Sequence, residues 1–226
     1  MQITPVASET HEEVYRVEDR EAGLTGFIAV HSTALGPAAG GLRMRVYRSE
    51  DEALQDVLRL SHGMTFKNAA ADLPLGGGKA VILGDPTRSK TPELLRAMGR
   101  AVQSQSGRYW TAEDMGMTTA DMAVLATETA YVAGLGDGAF ASGDPSPVTA
   151  RGVFNAIRRA ARHRLGTDAL DGMTIAVQGL GNVGWHLCTL LHGDGARLIV
   201  TDIDATRVAR AVAEWSAEAV AEDDIY

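Results

Sequence analysis

Apolar residues along this chain follow two alternating patterns: short runs of β-branched and aromatic residues, and longer stretches with apolar positions three or four apart. That alternation predicts an α/β fold. The segment Leu24–Ser32 (LTGFIAVHS) predicts a strand, and residues 42–47 predict another. Between them Gly36-Pro37 and Gly40-Gly41 mark a loop able to approach a ligand closely. A helix start follows, because Ser49 with Glu52 forms a capping box and Ala53, Leu54, Val57, Leu58 and Ser61 then trace one helical face. This helix delivers the chain to the segment 63–82, whose end, 80–83, reads as a strand. Gly84-Asp85-Pro86 turns the chain, and Thr91-Pro92 pairs a cap with a proline to open a helix that stops near Gly107.

Residues 108–112 (RYWTA) are strand-like and end in Glu113-Asp114, before a helix start at Thr118-Thr119. The stretch 133–147 is rich in Gly and Pro and carries no periodicity, so it predicts a domain boundary. The expected organisation is an α/β domain with a mixed sheet over 1–145 and a second module over 146–226, opened by a basic-faced helix at 148–165 that Gly166 ends. Residues 173–178 and Arg197–Thr201 predict two strands of the second module.

Composition narrows the picture mainly by exclusion. At 226 residues the chain suffices for one large or two modest domains, and a formal net charge of −8 with no basic stripe disfavours nucleic acid as a partner. The single cysteine, Cys188, excludes an internal disulfide framework, suits a reducing cytoplasm, and sits in an apolar helical pattern that predicts a buried thiol. No apolar run reaches membrane-spanning length, and the N-terminus lacks a basic segment followed by an apolar one. The expectation is a cytoplasmic protein without a membrane partner.

The segment 63–82 (GMTFKNAAADLPLGGGKAVI) holds two lysines, Lys67 and Lys79, among small and apolar residues. A lysine in such surroundings loses solvation of its ammonium form and must find a carboxylate or give up its proton more easily. Gly76-Gly77-Gly78 before Lys79 predicts a turn of unusual backbone conformation that clears a ligand's approach, with the lysine at the floor of a cleft. A Gly-rich turn before an ordinary surface lysine remains the competing reading. A phosphate-binding P-loop does not fit, because Leu73 and Ala80 stand where that motif needs Gly and Ser or Thr. Asp114, at the end of a strand, falls on the sheet edge where α/β proteins bind ligands, and is a candidate acid/base group.

In the second module Gly179-Leu180-Gly181-Asn182-Val183-Gly184 joins a strand to a helix, and Asp202 closes the next strand. G-x-G-x-x-G alone is a weak signal, but in this setting it is the dinucleotide fingerprint. The glycines allow a tight turn and close approach to a pyrophosphate at the helix N-terminus. Asp202 would accept hydrogen bonds from ribose hydroxyls and repel a 2′-phosphate, favouring NAD over NADP, a preference that Arg207 nearby would soften.

Taken together, AAGGLRM, GMTFKNAAADLPLGGGKAVI, WTAEDMGMTTADM, GDPSPVTARGV and VQGLGNVGWHL resemble the Glu/Leu/Phe/Val dehydrogenase family, most closely its leucine, valine and phenylalanine dehydrogenase branch. The resemblance runs from about Gly36 to the C-terminus. It implies NAD-dependent oxidative deamination of an L-amino acid to a 2-oxo acid and ammonia, in a cleft between a substrate-binding domain and a Rossmann domain, within a homo-oligomer built on the first domain.

The resemblance also assigns roles. Lys79 matches the family's catalytic lysine, Asp114 the acid that shuttles a proton at the substrate nitrogen, and Lys67 the lysine that binds the α-carboxylate. Gly40 and Gly41 belong to the substrate site, and Met64 and Ala112 are expected on the side-chain wall. Thr149 matches the threonine beside the nicotinamide. Glutamate dehydrogenases carry a lysine at the place of Ala39, where it meets a second carboxylate. Ala39 would leave that carboxylate unpaired, at a cost of several kcal/mol, so an apolar substrate such as Leu, Val, Ile or Phe is implied. Family members continue well past Tyr226, so the resemblance implies an incomplete Rossmann module, a doubly wound parallel sheet lacking its third strand, with an exposed sheet edge.

Two alternatives stay in view. One is a catalytically inactive relative that binds NAD or subunits of a longer protein. The other, a hydroxy-acid dehydrogenase, wants a catalytic histidine, and His186 and His192 on the helix after the glycines read as surface or packing residues.

Overall fold

The structure, a computed structural model, describes residues 1–137 and 142–225. Residues 138–141 of the Gly/Pro-rich stretch and Tyr226 lie outside the described residues. Contacts divide the chain into two units, Met1–Asp144 and Pro145–Tyr226.

The first unit carries a seven-stranded mixed sheet. β1 (Gln2–Pro5), β2 (Glu13–Asp19) and β3 (Leu24–Ser32) form an antiparallel meander. β4 (Ala38–Ala39) and β5 (Leu42–Arg45) are followed by the helix α1 (Glu50–Ala70), and β6 (Gly76–Leu83) returns between β3 and this pair. β6 runs antiparallel to β3 but parallel to β4 and β5, as a crossover through a helix requires. Ala38 faces Gly76 and Leu42 faces Ala80 in one continuous register, so β4 and β5 are a single strand interrupted at Gly40-Gly41. α2 (Pro92–Ser104), β7 (Tyr109–Trp110), parallel to β4, and α3 (Thr119–Leu125) complete the unit.

Strand alternation sorts the side chains of this sheet onto two faces. Phe27, Ala29 and Val81 pack with Ala53 and Val57 of α1, whereas Ile28, Val30, Ala80 and Ile82 pack with Leu94, Met98 and Val102 of α2. Burying each large apolar side chain contributes about 1.5–3 kcal/mol, so each helix is clamped by its own stripe. Lys79 shares the parity of Val81, and Arg43 lies between the α2-facing Leu42 and Met44. Both lysine and arginine therefore stand on the α1 face.

Two expectations need correction. α1 does not end before Gly63 but runs on to Ala70, so Met64 and Lys67 are helical residues, Lys67 in the last turn, where the helix dipole favours a cation. Its cap is half a capping box: Ser49 accepts from the Glu52 N–H at 3.1 Å, but the Glu52 carboxylate accepts from the Arg48 N–H at 2.7 Å. Gly76-Gly77-Gly78 is strand, not turn, and none of the three has a positive φ. These glycines serve close packing. A Cβ on Gly77 would lie 2.3 Å from the Thr65 backbone nitrogen and 2.5 Å from the Ser61 oxygen, so α1 rests its backbone directly on β6. On Gly78 a Cβ would stand 2.6 Å from the Tyr109 ring.

In the second unit α4 (Ser146–Leu165) precedes β8 (Thr174–Gln178), α5 (Asn182–Gly193), β9 (Arg197–Thr201), α6 (Ala205–Trp215) and β10 (Glu218–Ala219). The three strands are all parallel in the order β10-β9-β8. The third strand, absent from the sequence expectation, is thus present; two residues are too few to show an alternating pattern. Phe154, Leu170, Leu187, Leu191, Val200 and Trp215 form the core, with Cys188 buried among them. Burial pushes the Cys188 thiol up to about 12, so it stays protonated. Among the described residues no helix is long and apolar enough to cross a membrane.

Candidate active site

Lys79 sits in the middle of β6 with only 5% of its surface exposed, which overturns the reading of it as a surface lysine. Its Nζ lies 2.8 Å from Oδ2 of Asp114, a residue that follows β7. The same oxygen accepts a hydrogen bond from Arg43 Nε on β5 at 2.9 Å. Two cations from neighbouring strands thus converge on one carboxylate oxygen. Burial holds the Lys79 amine below the usual lysine range; Asp114 opposes that shift, and the positive charges of Arg43 and Lys67 add to it. For Asp114, burial works to raise the value, but Lys79 and Arg43 outweigh it and hold the carboxyl below its usual range.

The break at Gly40-Gly41 lies opposite Gly78 and Lys79, and space explains it. A Cβ on Gly40 would fall 1.9 Å from the Gly78 oxygen and 3.0 Å from Met64 Cγ; one on Gly41 would fall 2.8 Å from Asp114 Cβ. Gly40, Gly41, Met64, Lys79 and Asp114 are therefore one cluster. Ala39, half-buried at the end of β4, pairs with Gly77 on one side and Trp110 on the other. Ala112 joins the site through its carbonyl, which accepts from the Leu42 N–H at 2.7 Å. Lys67 is exposed on α1, close enough for its charge to act on Lys79.

Several residues at this site escaped the reading of the sequence. Tyr109, fully buried, donates its hydroxyl to the Gly40 carbonyl at 2.8 Å and so pins the glycine break. Asn68 donates to the carbonyls of Gly76 at 2.6 Å and Ala39 at 3.3 Å, tying α1 to β4 and β6. Asp56 on α1 accepts from Arg43 at 3.0 Å, Tyr47 at 2.9 Å and Arg59 at 2.7 Å. A charged residue inside an apolar helical stripe, between Ala53 and Val57, was the available signal. Glu113, beside Asp114, is raised by burial and by the charges of Asp144 and Asp121, against a hydrogen bond from Thr119. Among the described residues no group of three or more His, Cys, Asp or Glu side chains is arranged to hold a metal ion.

The second unit carries the glycine turn between β8 and α5. Gly179 has φ +92°, a conformation that favours glycine, and a Cβ on Gly184 would lie 1.9 Å from the Gly179 oxygen. Gly181 caps α5 without a side-chain hydrogen bond, which leaves first-turn N–H groups for an anion. A cavity of about 210 Å³ lies beside it, lined by Leu180, Gly181, Asn182, Trp185, His186, Arg207 and Arg210. Val183 packs against the core of the unit. Asp202 follows β9, accepts from the Leu180 and Asp204 N–H groups, and lies 3.9 Å from Arg207. Its side chain is only 5% exposed, so its first partner is the glycine turn itself. Thr149 lies exposed in the first turn of α4.

Comparison with known proteins gives two consecutive matches. Residues 10–131 match a family model described as Glu/Leu/Phe/Val dehydrogenase, dimerisation domain, and residues 142–208 match one described as Glutamate/Leucine/Phenylalanine/Valine dehydrogenase. A leucine dehydrogenase of Geobacillus stearothermophilus is 54% identical over 216 residues, covering 96% of this chain and 59% of the relative. A phenylalanine dehydrogenase of Caldalkalibacillus thermarum is 47% identical over 221 residues, covering 96% and 60%. The crystal structure of an L-tryptophan dehydrogenase from Nostoc punctiforme superposes with a TM-score of 0.66 at 41% identity, covering 96% of this chain and 61% of that one. The chain thus spans about three fifths of the length of the relatives it matches.

Proposed function

The chain belongs to the Glu/Leu/Phe/Val dehydrogenase family, and from that premise we propose that it carries the catalytic groups for NAD-dependent oxidative deamination of an apolar L-amino acid. The observation that supports this most is the buried Lys79–Asp114 pair at 2.8 Å, set where the strand formed by β4 and β5 breaks at Gly40-Gly41. An amine held below its usual range is a free base near neutral pH more often than an ordinary lysine, as a water-activating group requires. In this reading Lys79 positions and deprotonates the water that attacks the imino carbon, and Asp114 carries a proton to and from the substrate nitrogen. Lys67, exposed in the last turn of α1, binds the α-carboxylate. Gly40 and Gly41, having no side chains, let this strand pass close to Gly78 and Asp114 and so shape the substrate site.

A nicotinamide cofactor, when bound, supplies the hydride acceptor. The glycine turn fits a dinucleotide, because the missing Cβ atoms and the uncapped α5 N-terminus are what a pyrophosphate needs. Gly179, Leu180, Gly181, Asn182, Val183 and Gly184 would hold it, with Thr149 near the nicotinamide. A carboxylate has about four acceptor positions. Two of those on Asp202 go to backbone N–H groups, which leaves capacity for ribose hydroxyls and favours NAD over NADP.

Ala39 argues for the substrate class. With no lysine there, a second substrate carboxylate would be desolvated without a partner, whereas Leu, Val, Ile or Phe would not. Met64 and Ala112 complete that wall. A buried thiol and the lack of an oxidative framework suit a cytoplasmic setting, and the match to a dimerisation domain supports assembly of a homo-oligomer through Met1–Asp144. A monomer by light scattering would remove that last point. The central test is NADH formation with Leu, Val, Ile and Phe, expected for the wild type and abolished by Lys79→Ala. Nucleotide binding with no turnover of any amino acid would instead identify a non-catalytic relative.

A further inference from the structure

Lys79 and Asp114 present a problem of charge. If Lys79 gives up its proton to act as a base, the half-buried Asp114 carboxylate loses its nearest cation, and an unpaired buried charge is costly. The structure contains a compensating group that the proposed reaction does not use. Arg43 Nε donates to the same Oδ2 that Lys79 contacts, and a guanidinium stays charged across the whole working range of pH. Arg43 is itself only 13% exposed, and its other arm is held by Asp56 at 3.0 Å. Asp56 in turn is fixed by Tyr47 and Arg59. The arginine is thus locked on β5 between a carboxylate of the site and a carboxylate of α1.

We propose that Arg43 is a positioning residue for this site, a permanent cation that keeps Asp114 ionised and in place when Lys79 releases its proton, with Asp56 as the counterweight that sets how strongly it does so. The inference rests on the reading of Lys79 as a base. The charges acting on Lys79 are Asp114 after β7, Arg43 on β5 and Lys67 on α1. Asp56 acts through Arg43. The buried Tyr109 hydroxyl, also near Asp114, is pushed up by burial and stays neutral.

Signs follow directly from the geometry. Removing Arg43 leaves Asp114 wholly to Lys79, so the ammonium form gains and the amine titrates at higher pH. Removing the Asp56 charge frees the arginine's field toward the site, so the amine titrates at lower pH. Loss of packing alone would not drive the two variants in opposite directions.

The chain has three lysines, Lys67, Lys79 and Lys90, so a protein labelled with ¹³C at the lysine ε-carbon gives three signals to follow by NMR as pH is varied. Lys90→Arg and Lys67→Arg variants assign them. Arg43→Met is expected to raise the Lys79 midpoint by about one to two pH units, and Asp56→Asn to lower it by about half a unit, the carboxylate being farther away. Arg43→Lys, which keeps the charge but cannot bridge both carboxylates, should fall between wild type and Arg43→Met. Midpoints that move in the same direction in both variants, or do not move, overturn the proposal. If Arg43→Met does not fold, an Asp56→Asn midpoint that rises or stays fixed is enough to overturn it. The readout needs no turnover: a wild type that never reduces NAD but shows these shifts defeats the deaminase reading and leaves this one standing, whereas turnover without the shifts does the reverse.

Discussion

At the scale of single residues the site is decided by what is missing as much as by what is charged. Gly40, Gly41, Gly77 and Gly78 each stand where a Cβ would meet another backbone or a ring. Their identity was legible in the sequence, but their reason was not, because a run of three glycines looks the same whether it turns or packs. Gly77 tests the packing account. A methyl group there would press on the Thr65 nitrogen and Ser61 oxygen of α1, both backbone atoms that cannot swing aside. Gly77→Ala is therefore expected to destabilise the first unit by about 1–3 kcal/mol, read as a lower urea midpoint at unchanged slope. A midpoint within error of the wild type would show that α1 can lift off β6 at no cost. Arg43, Asn68 and Tyr109 were not legible for a related reason: each is an ordinary position along its own element, and its partner lies on a different one; Asp56 stood out as a charge in an apolar stripe, but nothing along the chain named Arg43 as its partner.

Elements were easier to foresee than their limits. The strand Leu24–Ser32 and the strand Arg197–Thr201 fall where alternation and β-branching place them, and Thr91 and Thr118 cap α2 and α3 as their positions suggest. Thr118 forms a full capping box with Asp121. What local signals could not do was carry α1 through Gly63, where a helix-weakening residue sits in open space and costs only its propensity, about 1 kcal/mol. The packing of α1 against β3 and β6 outweighs that local preference. It is this extension that carries Met64 and Lys67 toward Lys79, whereas Asp56, about two turns before Met64, reaches Arg43 from the part of the helix already foreseen. β10 shows the opposite limit, an element that exists because β9 offers it hydrogen bonds rather than because its own residues favour a strand.

On the scale of the whole molecule, charge pairing ties stability to pH. Hydrogen bonds hold several carboxyls of the first unit below their usual range: Thr33 acts on Glu12, Arg16 on Glu18 and Glu50, and Thr87 on Asp85. Asp56 and Asp114 are lowered in spite of burial, by Arg59, Tyr47 and Arg43 for the first and by Lys79 and Arg43 for the second. Because the folded values lie below the unfolded ones, this stabilisation is fully present above about pH 4 and is lost as pH falls through the folded values. Glu113, raised by burial, works in the opposite sense. The first unit is expected to lose thermal stability steeply below about pH 4, and a melting temperature flat from neutral pH into that range would refute the linkage. The sequence by itself determined the α/β class, the family, the glycine turn of the second unit and the choice of Lys67, Lys79 and Asp114 as candidates, because periodicity, spacing and motif order are properties of a linear string. Only the tertiary structure decided that Lys79 is buried, that it shares one Asp114 oxygen with Arg43, and that the glycines before it serve contact rather than turning. Those outcomes depend on which face a strand residue takes and what lies across from it, and residues as far apart in the chain as 43, 56, 79 and 114 acquire that relation only when the sheet and α1 come together.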